Sequence, residues 1–424
     1  GGGTGLGGGA ALEDAAANQG LTVRAYIVDQ FRKLSNAYRA GADKGTGARM
    51  HGSGRSDARE YHYKQVCAAL EHLSDSPDWA ELEAIGTQRH GVGGKTIAKL
   101  RELWDTGRLG RVDEFSNNPE QVARELLIKV HGIGQSRVVE LVRQGVRTIS
   151  DLRQRTDLSP QTSIWLKYHD QLEQPIPRDH IGEVRDRIGA VASRIDPRLK
   201  AIACGSYRRG KMESRDMDVM LILRGAGPGS TEHLEVMARI VPELHADGLL
   251  TDDLTTPGKF PQFGKKTAAR VTTPSVVQAE NSIAYMGICI VGGVHRRLDL
   301  RCYPEHQEAP ALLHFTGSGD FNRFMSRAAN ARGFTLSELG LQPSVIKGPA
   351  ERVPSGPHLE LHSEAHIFEI LRLEYKDPSE RRDKIDVIDS TTGRPFFQTR
   401  ESRTALPALT DTSRLQAHHP AAIT

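Results

Sequence analysis

The strongest constraint on the fold of this chain is the stretch Cys204–Ile222, which reads CGSYRRGKMESRDMDVMLI. A Gly-Ser turn and a basic connector lead into a predicted strand. Because strand side chains alternate with a period of two, Asp216 and Asp218 share one face, while Met217 and Val219 point into a core. Two carboxylates about 6–7 Å apart repel each other unless a cation neutralises them. A divalent cation with oxygen ligands is therefore the expected partner.

The residues just before this strand predict an anion site. Gly205 and Ser206 can present backbone N–H groups and a hydroxyl to an anion, and Arg208 and Arg209 add guanidinium groups that match phosphate. An Asp-x-Asp tripeptide alone more often marks the edge of a solvated strand. The anion cradle about ten residues upstream favours instead the transfer of a nucleotide from a metal-bound triphosphate.

A third carboxylate is expected from a neighbouring strand. In the run from Arg296 to Tyr303, Leu298 and Leu300 alternate inward, which leaves Asp299 on the opposite face. The apolar run and the Gly-Gly pair before it complete a hairpin pattern. The sequence therefore predicts that Asp299 lies beside the other two aspartates on one sheet.

These motifs together resemble the family X DNA polymerases. The Gly-Ser-aromatic-Arg-Arg-Gly run is followed by Asp-Met-Asp eleven residues after its first Gly, and later by Arg-Arg-hydrophobic-Asp. A third block, Phe315–Ser318 with Phe321 and Asn322, is similar to the nucleotide-binding segment of that family. The resemblance runs in order from about Tyr61 to Arg381.

The resemblance implies an α+β multidomain fold. The expected segments are a flexible leader (1–20), a helical lyase-like domain with a first helix-hairpin-helix element (21–114), a DNA-binding subdomain with a second one (115–177), a nucleotidyltransferase-type catalytic palm with a mixed or antiparallel sheet (178–305, with an insertion at about 257–283), a C-terminal nucleotide-binding subdomain (306–381) and a disordered tail (382–424).

The resemblance also assigns the polymerase site. Asp216, Asp218 and Asp299 would catalyse nucleotidyl transfer and bind two Mg²⁺ ions, for which Mn²⁺ can substitute. The residues expected to bind the nucleotide are Arg178, Gly205, Ser206, Arg209, Phe315, Gly317 and Asn322. Arg297 is expected to contact DNA. In the nucleotide-binding segment, three positions depart from the family, His314 from a tyrosine, Gly319 from an acidic residue and Ser326 from an arginine, and they bear on fidelity and sugar selectivity.

Two Gly-x-Gly turns that open helices predict contacts with DNA. The first contains Gly91 and Gly93, and the second contains Gly132 and Gly134. Such turns present unpaired N–H groups to a phosphate, helped by the helix dipole. Two helix-capping turns in an all-helical domain are the plainer alternative. The resemblance identifies them as helix-hairpin-helix elements that hold the DNA backbone, with Na⁺ or K⁺ at the turns.

A lysine pair follows the first of these turns. Lys95 and Lys99 lie one helical turn apart, so each disfavours the other's charge. Taken alone, an exposed lysine pair is most often a phosphate contact. The resemblance places Lys99 at the lysine that attacks C1′ of a 5′-deoxyribose phosphate to form a Schiff base. It places Lys95 and Tyr63 in support of that lyase pocket, and Lys95 also at a DNA contact, while Ala98 replaces an acidic residue.

Composition excludes several other classes. The net charge is only +3, so nucleic-acid binding must rest on local patches. The four cysteines contain no Cys-x-x-Cys pair, which argues against a zinc site or a disulfide framework. No apolar run approaches the ~20 residues that a membrane-spanning helix needs. The chain opens on Gly-Gly-Gly without Met, which leaves open whether a leader precedes it.

The expected function is therefore that of a DNA-directed DNA polymerase that fills short gaps in base excision repair. Its substrates would be gapped or nicked double-stranded DNA and deoxynucleoside triphosphates. It would act as a monomer in the nucleus, or alternatively the mitochondrion, with a lyase activity and with repair proteins docking on the tail. Two alternatives remain, a template-independent nucleotidyltransferase and a catalytically weak DNA-repair scaffold. The intact aspartate triad argues against the scaffold.

Overall fold

The chain forms a helical unit followed by a mixed α and β unit. The computed structural model describes residues 9–41, 58–88, 93–254, 284–348, 351–382 and 386–396. Its two compact units comprise residues 1–167 and 168–424. The helical first part and the mixed sheet of the second confirm the predicted α+β class. Across the described residues, no helix has the length and apolar character needed to cross a membrane.

The first unit is built from short helices. They are α1 (Ala10–Ala17), α2 (Val23–Arg39), α3 (Ala58–Leu70), α4 (Trp79–Gln88), α5 (Gly94–Thr106), α6 (Gly110–Ser116), α7 (Pro119–Leu127), α8 (Gln135–Arg143), α9 (Ile149–Arg153) and α10 (Pro160–Leu172), whose last residues belong to the second unit. Fully buried Phe31, Leu34, Val66 and Leu70 hold α2 against α3.

The predicted flexible leader is wrong for residues 9–20, since α1 lies within this segment. The run is rich in alanine, the strongest helix former, and Leu12 and Ala16 lie on one helix face, both buried. α1 packs closely against Gly107 (φ +68°), since a Cβ at this position would lie only 2.4 Å from the Ala11 carbonyl oxygen. Residues 1–8 lie outside the described part of the chain.

The second unit contains a five-stranded sheet, smaller sheets and several helices. Its strands are β1 (Ile176–Pro177), β2 (Leu199–Ala203), β3 (Glu213–Ser214), β4 (Met217–Leu223), β5 (Leu250–Asp253), β6 (Ala284–Val291), β7 (Val294–Pro304), β8 (Phe334–Ser337), β9 (Gly340–Gly348), β10 (Glu351–Pro354), β11 (Ile388–Asp389) and β12 (Arg394–Pro395). Its helices are α11 (Arg178–Ile195), α12 (Gly205–Arg208), α13 (Glu232–Ala246), α14 (Glu308–Thr316), α15 (Gly319–Ala331) and α16 (Glu364–Ile370).

The strand order of the large sheet is β2-β4-β7-β6-β5. β4 and β7 pair in parallel, whereas the other neighbours pair antiparallel. One face packs on α11 and α13, where Met217, Val219 and Leu298 are fully buried. The other face of β4 and β7 carries the aspartates. A separate three-stranded sheet has the order β10-β9-β8.

The predicted disordered tail is wrong for residues 386–396, which form a hairpin of β11 and β12. Val387 is fully buried and Phe396 is nearly so, and this burial offsets the entropy lost on ordering the segment. Residues 383–385 and 397–424 of the tail, and the predicted insertion at 257–283, lie outside the described residues.

Candidate active site

The three aspartates come together at the parallel pair of strands. In the register of β4 and β7, Asp218 pairs with Asp299, and Asp216 directly precedes β4. Their neighbours Met217 and Leu298 are fully buried on the opposite face, as the period of two predicts. Two strands about 80 residues apart in sequence thus present carboxylates on one face of the sheet.

Burial raises the affinity of two of these carboxylates, those of Asp218 and Asp299, for protons. Burial, reinforced by the charges of Asp216 and Asp299, raises the pKa of Asp218 to about 7. Burial also raises the pKa of Asp299, although the nearby Arg297 opposes the shift. Oδ1 of Asp299 is buried and has no hydrogen-bond partner among the described residues. Such a cluster is stabilised by a cation.

Arg297 supplies that positive charge in this structure. Its Nη2 donates to Oδ2 of Asp216 and lies 3.4 Å from Oδ2 of Asp299. In this arrangement no three acidic, histidine or cysteine side chains of the described residues are placed to hold a metal ion. The donor set itself fits a divalent cation, since it consists of carboxylate oxygens and leaves Oδ1 of Asp299 unpartnered. Withdrawal of Arg297 would therefore accompany metal binding.

A cleft of about 700 Å³ opens next to Asp216 and Asp218. The predicted nucleotide-binding residues that line it are Gly205, Ser206, Arg209, Phe315, Gly317 and Asn322. His314 and Gly319 line it as well, whereas Asp299 and Ser326 do not. Asp216, Asp218 and the anion cradle therefore face one space that can hold a ligand the size of a nucleotide.

The cradle is built on α12, whose first residue is Gly205. Gly205 has φ +53°, and a Cβ there would lie 2.0 Å from Oδ2 of Asp218. The backbone N–H of Cys204 donates to the Asp218 carbonyl at 2.8 Å. Glycine is required here both by the positive φ and by the close approach of the carboxylate.

We expect Gly205→Ala to reduce any activity of this cleft by at least ~10²-fold, because the new methyl group displaces the Asp218 carboxylate and small misplacements cost this much. Gly210→Ala is the matched control, since Gly210 has φ +82° but nothing lies within 4 Å of its Cβ position. Single-turnover nucleotide incorporation measures the effect. Equal losses of activity in both variants would show that backbone strain causes the loss, and would contradict the claim that Gly205 is required by its contact with Asp218.

Two of the expected phosphate-binding arginines have partners within the protein. Arg178 donates to the carbonyls of Tyr207 (2.5 Å) and Lys211 (3.3 Å), its guanidinium group stacks 3.8 Å from the Tyr207 ring, and it does not line the cleft. Arg209 lines the cleft and donates to the Thr316 carbonyl at 2.5 Å. Burial lowers the pKa of Arg209. Arg209 is thus the better placed of the two for an anion.

A buried ion-pair network behind the cradle was not predicted from the sequence. Arg208 donates to Glu364 at 2.6 Å and to the Thr316 hydroxyl at 2.5 Å, and the fully buried Arg381 donates to Glu364 at 2.5 Å. Arg208, which we expected to bind phosphate, instead links α12 to α16. Glu364 lies 156 residues further along the chain, so no local pattern could have revealed it.

The nucleotide-binding segment joins α14 to α15 through a tight turn. Gly317 has φ +69°, and the Gly317–Ser318 peptide bond is cis. The Ser318 hydroxyl accepts the backbone N–H of Phe321 at 3.2 Å and so caps α15. Asn322 donates to the His314 carbonyl at 2.6 Å. These bonds place the first turn of α15 at the wall of the cleft.

In the first unit, Lys95 is exposed and Lys99 is half-buried on α5. Thr96 between them is buried and hydrogen-bonded to His62 at 2.9 Å. Tyr63 is only 8% exposed and stacks on Tyr38, with 5.6 Å between ring centroids. Tyr63 therefore belongs to the core between α2 and α3, and its part in a lyase pocket stays a prediction.

The second Gly-x-Gly turn precedes α8 and packs closely against Thr162 of α10. Gly132 has φ +82°, and a Cβ there would lie 2.6 Å from the Thr162 hydroxyl, which itself donates to the His131 carbonyl at 3.1 Å. Gly134 is the N-cap of α8. At the first turn, Gly93 is likewise the N-cap of α5, whereas Gly91 lies outside the described residues.

Comparisons with known proteins agree with this geometry. Family models match the chain as the DNA polymerase beta palm (residues 175–305), the DNA polymerase beta thumb (311–382) and the fingers domain of DNA polymerase lambda (125–173). DNA polymerase lambda of Rattus norvegicus is 31% identical over 360 residues, covering 84% of this chain and 56% of its own.

Two further relatives show similar coverage. DNA polymerase lambda of Arabidopsis thaliana is 26% identical over 84% of this chain and 61% of its own. DNA-directed DNA/RNA polymerase mu of Homo sapiens is 24% identical over 66% of this chain and 57% of its own. The chain thus spans somewhat more than half the length of the curated relatives it matches.

Proposed function

Because the chain belongs to the family X DNA polymerases, we propose that it is a DNA-directed DNA polymerase that fills short gaps during base excision repair. The observation that carries the proposal is the shared cleft. Asp216 and Asp218 line it together with Gly205, Ser206 and Arg209, and Asp299 pairs with Asp218 on the next strand. Carboxylates beside an anion cradle suit a triphosphate whose charge must be neutralised during transfer.

Asp216, Asp218 and Asp299 would hold two Mg²⁺ ions, for which Mn²⁺ can substitute. Bound ions would neutralise the triphosphate and lower the pKa of the attacking primer hydroxyl. The protein's own part is to position the reactants. The N-terminal N–H groups of α12, the Ser206 hydroxyl and Arg209 would orient the phosphates. Asp299, whose pKa burial has raised, would accept the proton of the primer 3′-hydroxyl.

The DNA substrate would be held by the two Gly-x-Gly turns. N-caps such as Gly134, before α8, and Gly93, before α5, leave backbone N–H groups without helical partners. These groups suit phosphate oxygens, with Na⁺ or K⁺ at the turns. Lys95 is exposed beside the first turn and would add a salt-dependent contact. Arg297, once released by the aspartates, would contact the DNA next to the primer end.

Lys99 is the proposed lyase nucleophile. It lies on α5, one turn after Lys95, and its side-chain amine forms no hydrogen bond or ion pair with the described residues. Its amine would attack C1′ of the 5′-deoxyribose phosphate and form a Schiff base, after which elimination releases the sugar phosphate. A DNA substrate implies a compartment that holds DNA, and we place the enzyme in the nucleus, with the mitochondrion as the alternative.

Template dependence tests the polymerase proposal against its alternatives. The substrates are a one-nucleotide-gapped duplex with each of the four template bases, and the same primer as a single strand. We expect incorporation of the complementary nucleotide on the gapped duplex and little addition to the single strand. Equal addition to both substrates would favour template-independent transfer. DNA binding without addition to either would favour the scaffold.

We expect Arg209→Ala to weaken nucleotide affinity by roughly 1.5–3 kcal/mol, the scale of a charge-assisted hydrogen bond. Arg209 is the arginine of the cradle that lines the cleft. Arg198→Ala, in an exposed ion pair with Asp196, is the control. The apparent nucleotide dissociation constant, from the concentration dependence of single-turnover rates, measures the effect. An unchanged constant in Arg209→Ala would remove this residue from the site.

A further inference from the structure

We propose that the C-terminal hairpin, residues 386–396, positions the nucleotide-contacting end of α15 through the ion pair of Asp389 with Arg332. The hairpin lies beyond residues 311–382, the segment that matches the thumb model. The proposal rests on the function proposed above, because it takes the first turn of α15 to contact the nucleotide.

The hairpin is internally ordered. β11 pairs antiparallel with β12, with Asp389 opposite Arg394. Oδ1 of Asp389 accepts the backbone N–H groups of Thr391 and Thr392 at 2.8 and 3.1 Å. This pattern closes the turn and leaves Oδ2 of Asp389 free to face another element.

The hairpin is also fastened to the chain segment that follows α16. The backbone N–H of Glu374 donates to the Ile388 carbonyl at 2.9 Å, and that of Ser390 donates to the Arg372 carbonyl at 3.1 Å. Val387 is fully buried. The hairpin is therefore packed against the segment that follows α16.

Oδ2 of Asp389 accepts a hydrogen bond from Nη2 of Arg332 at 2.5 Å. The two side chains are 15% and 6% exposed, and the Arg332 guanidinium group lies 5.3 Å from the centre of the Phe396 ring. Arg332 directly follows the last residue of α15 and is its C-cap. Removal of Asp389 would leave a nearly buried guanidinium group without its counter-charge, a strongly unfavourable state.

The opposite end of α15 is held by the same stretch of chain. The backbone N–H of Ser318 donates to the Arg381 carbonyl at 3.2 Å, and the Ser318 hydroxyl donates to the Arg382 carbonyl. The backbone N–H of Arg382 donates in turn to Oδ2 of Asp386, the first residue of the hairpin, at 2.9 Å. Arg381 and Arg382 thus contact the N-cap of α15, and Asp389 contacts its C-cap.

This double attachment connects the hairpin to the cleft. A helix of 13 residues is about 20 Å long and moves as a rigid rod, so a shift at Arg332 reaches the first turn. That turn contributes Gly319 and Asn322 to the cleft wall. Small displacements of groups that orient a substrate are costly. Asp389 would therefore act as a positioning residue for the nucleotide from outside the cleft.

The test compares Asp389→Asn, Asp389→Glu and Arg394→Ala in the full-length chain. Asp389→Asn keeps the turn's acceptor but removes the charge, whereas Asp389→Glu keeps the charge. Arg394 is exposed in the same hairpin and serves as the control. We expect Asp389→Asn to raise the nucleotide KM on gapped DNA roughly 3- to 10-fold with kcat within about two-fold, the range of measured couplings between sites. The other two variants should stay near wild type.

Hydrogen exchange of the free protein provides a second readout that does not depend on activity. In Asp389→Asn, the backbone amides of residues 321–323 should exchange at least several-fold faster, whereas those of α11 should not change. A lowered Tm with unchanged exchange in these residues and unchanged KM would overturn the proposal. If wild type incorporates no nucleotide at all, the polymerase proposal fails, and unchanged exchange would still refute the hairpin's role.

Discussion

Asp299→Ala is expected to abolish nucleotide incorporation on one-nucleotide-gapped DNA while DNA affinity stays within a few-fold of wild type. Asp299 is paired with Asp218 across the parallel strands, and its Oδ1 is buried without a partner among the described residues. Without this carboxylate, the site lacks a ligand for the divalent ion and an acceptor for the proton of the primer hydroxyl. DNA affinity should persist because phosphate contacts elsewhere dominate it.

Asp186→Ala is the control for this experiment, because Asp186 lies in the same unit but is exposed and paired with Arg185. Primer extension and fluorescence anisotropy of labelled gapped DNA measure the two quantities. Asp299→Ala should change the free energy of unfolding little, because burial raises the pKa of the Asp299 carboxyl and thus disfavours its charged form in the folded protein. Wild-type incorporation by Asp299→Ala would show that the three aspartates do not form the catalytic centre.

Lys99→Ala is expected to eliminate borohydride trapping of the protein on a 5′-deoxyribose phosphate, while polymerisation on a pre-cleaned gap persists. Loss of the nucleophile removes covalent catalysis outright, whereas loss of a single positive charge weakens DNA binding modestly and in a salt-dependent way. Lys99 and the aspartates belong to separate compact units of the chain. The two activities should therefore be separable by single substitutions.

Lys33→Ala is the control for trapping, because Lys33 lies on α2 in the same unit and forms an ion pair with Asp29 at 2.8 Å. Lys95 offers a neighbouring amine, so a faint residual adduct in Lys99→Ala is compatible with the assignment. Trapping at wild-type yield would contradict it and would return Lys99 to the role of a phosphate contact.

The parts of the site that sequence could predict depend on local geometry. The alternation around Asp218 and Asp299 follows from the two-residue period of a strand, and buried neighbours on one face leave only the other face for the carboxylates. The role of Gly205 in the anion cradle could likewise be predicted, since a Gly-Ser turn before a strand exposes N–H groups to an anion. The order of these motifs along the chain then led to the correct family.

The parts that sequence could not predict depend on contacts between distant segments. Arg208 follows a phosphate-binding pattern, yet it binds Glu364, a partner 156 residues away. Arg178 donates to backbone carbonyls that no side-chain pattern reveals. Residues 9–20 and 386–396 are structured because tertiary contacts bury Leu12 in the first segment and Val387 in the second. This burial overrides their weak local periodicity.

Counting the divalent ions bound to the site tests most directly whether the three aspartates form one two-metal centre. Mn²⁺ binding would be followed by electron paramagnetic resonance on the protein with gapped DNA and a non-hydrolysable nucleotide. Wild type should bind two ions in the site, and a variant with both Asp216→Asn and Asp218→Asn should bind none there. Equal Mn²⁺ binding by wild type and this variant would contradict the assignment of the aspartates as metal ligands.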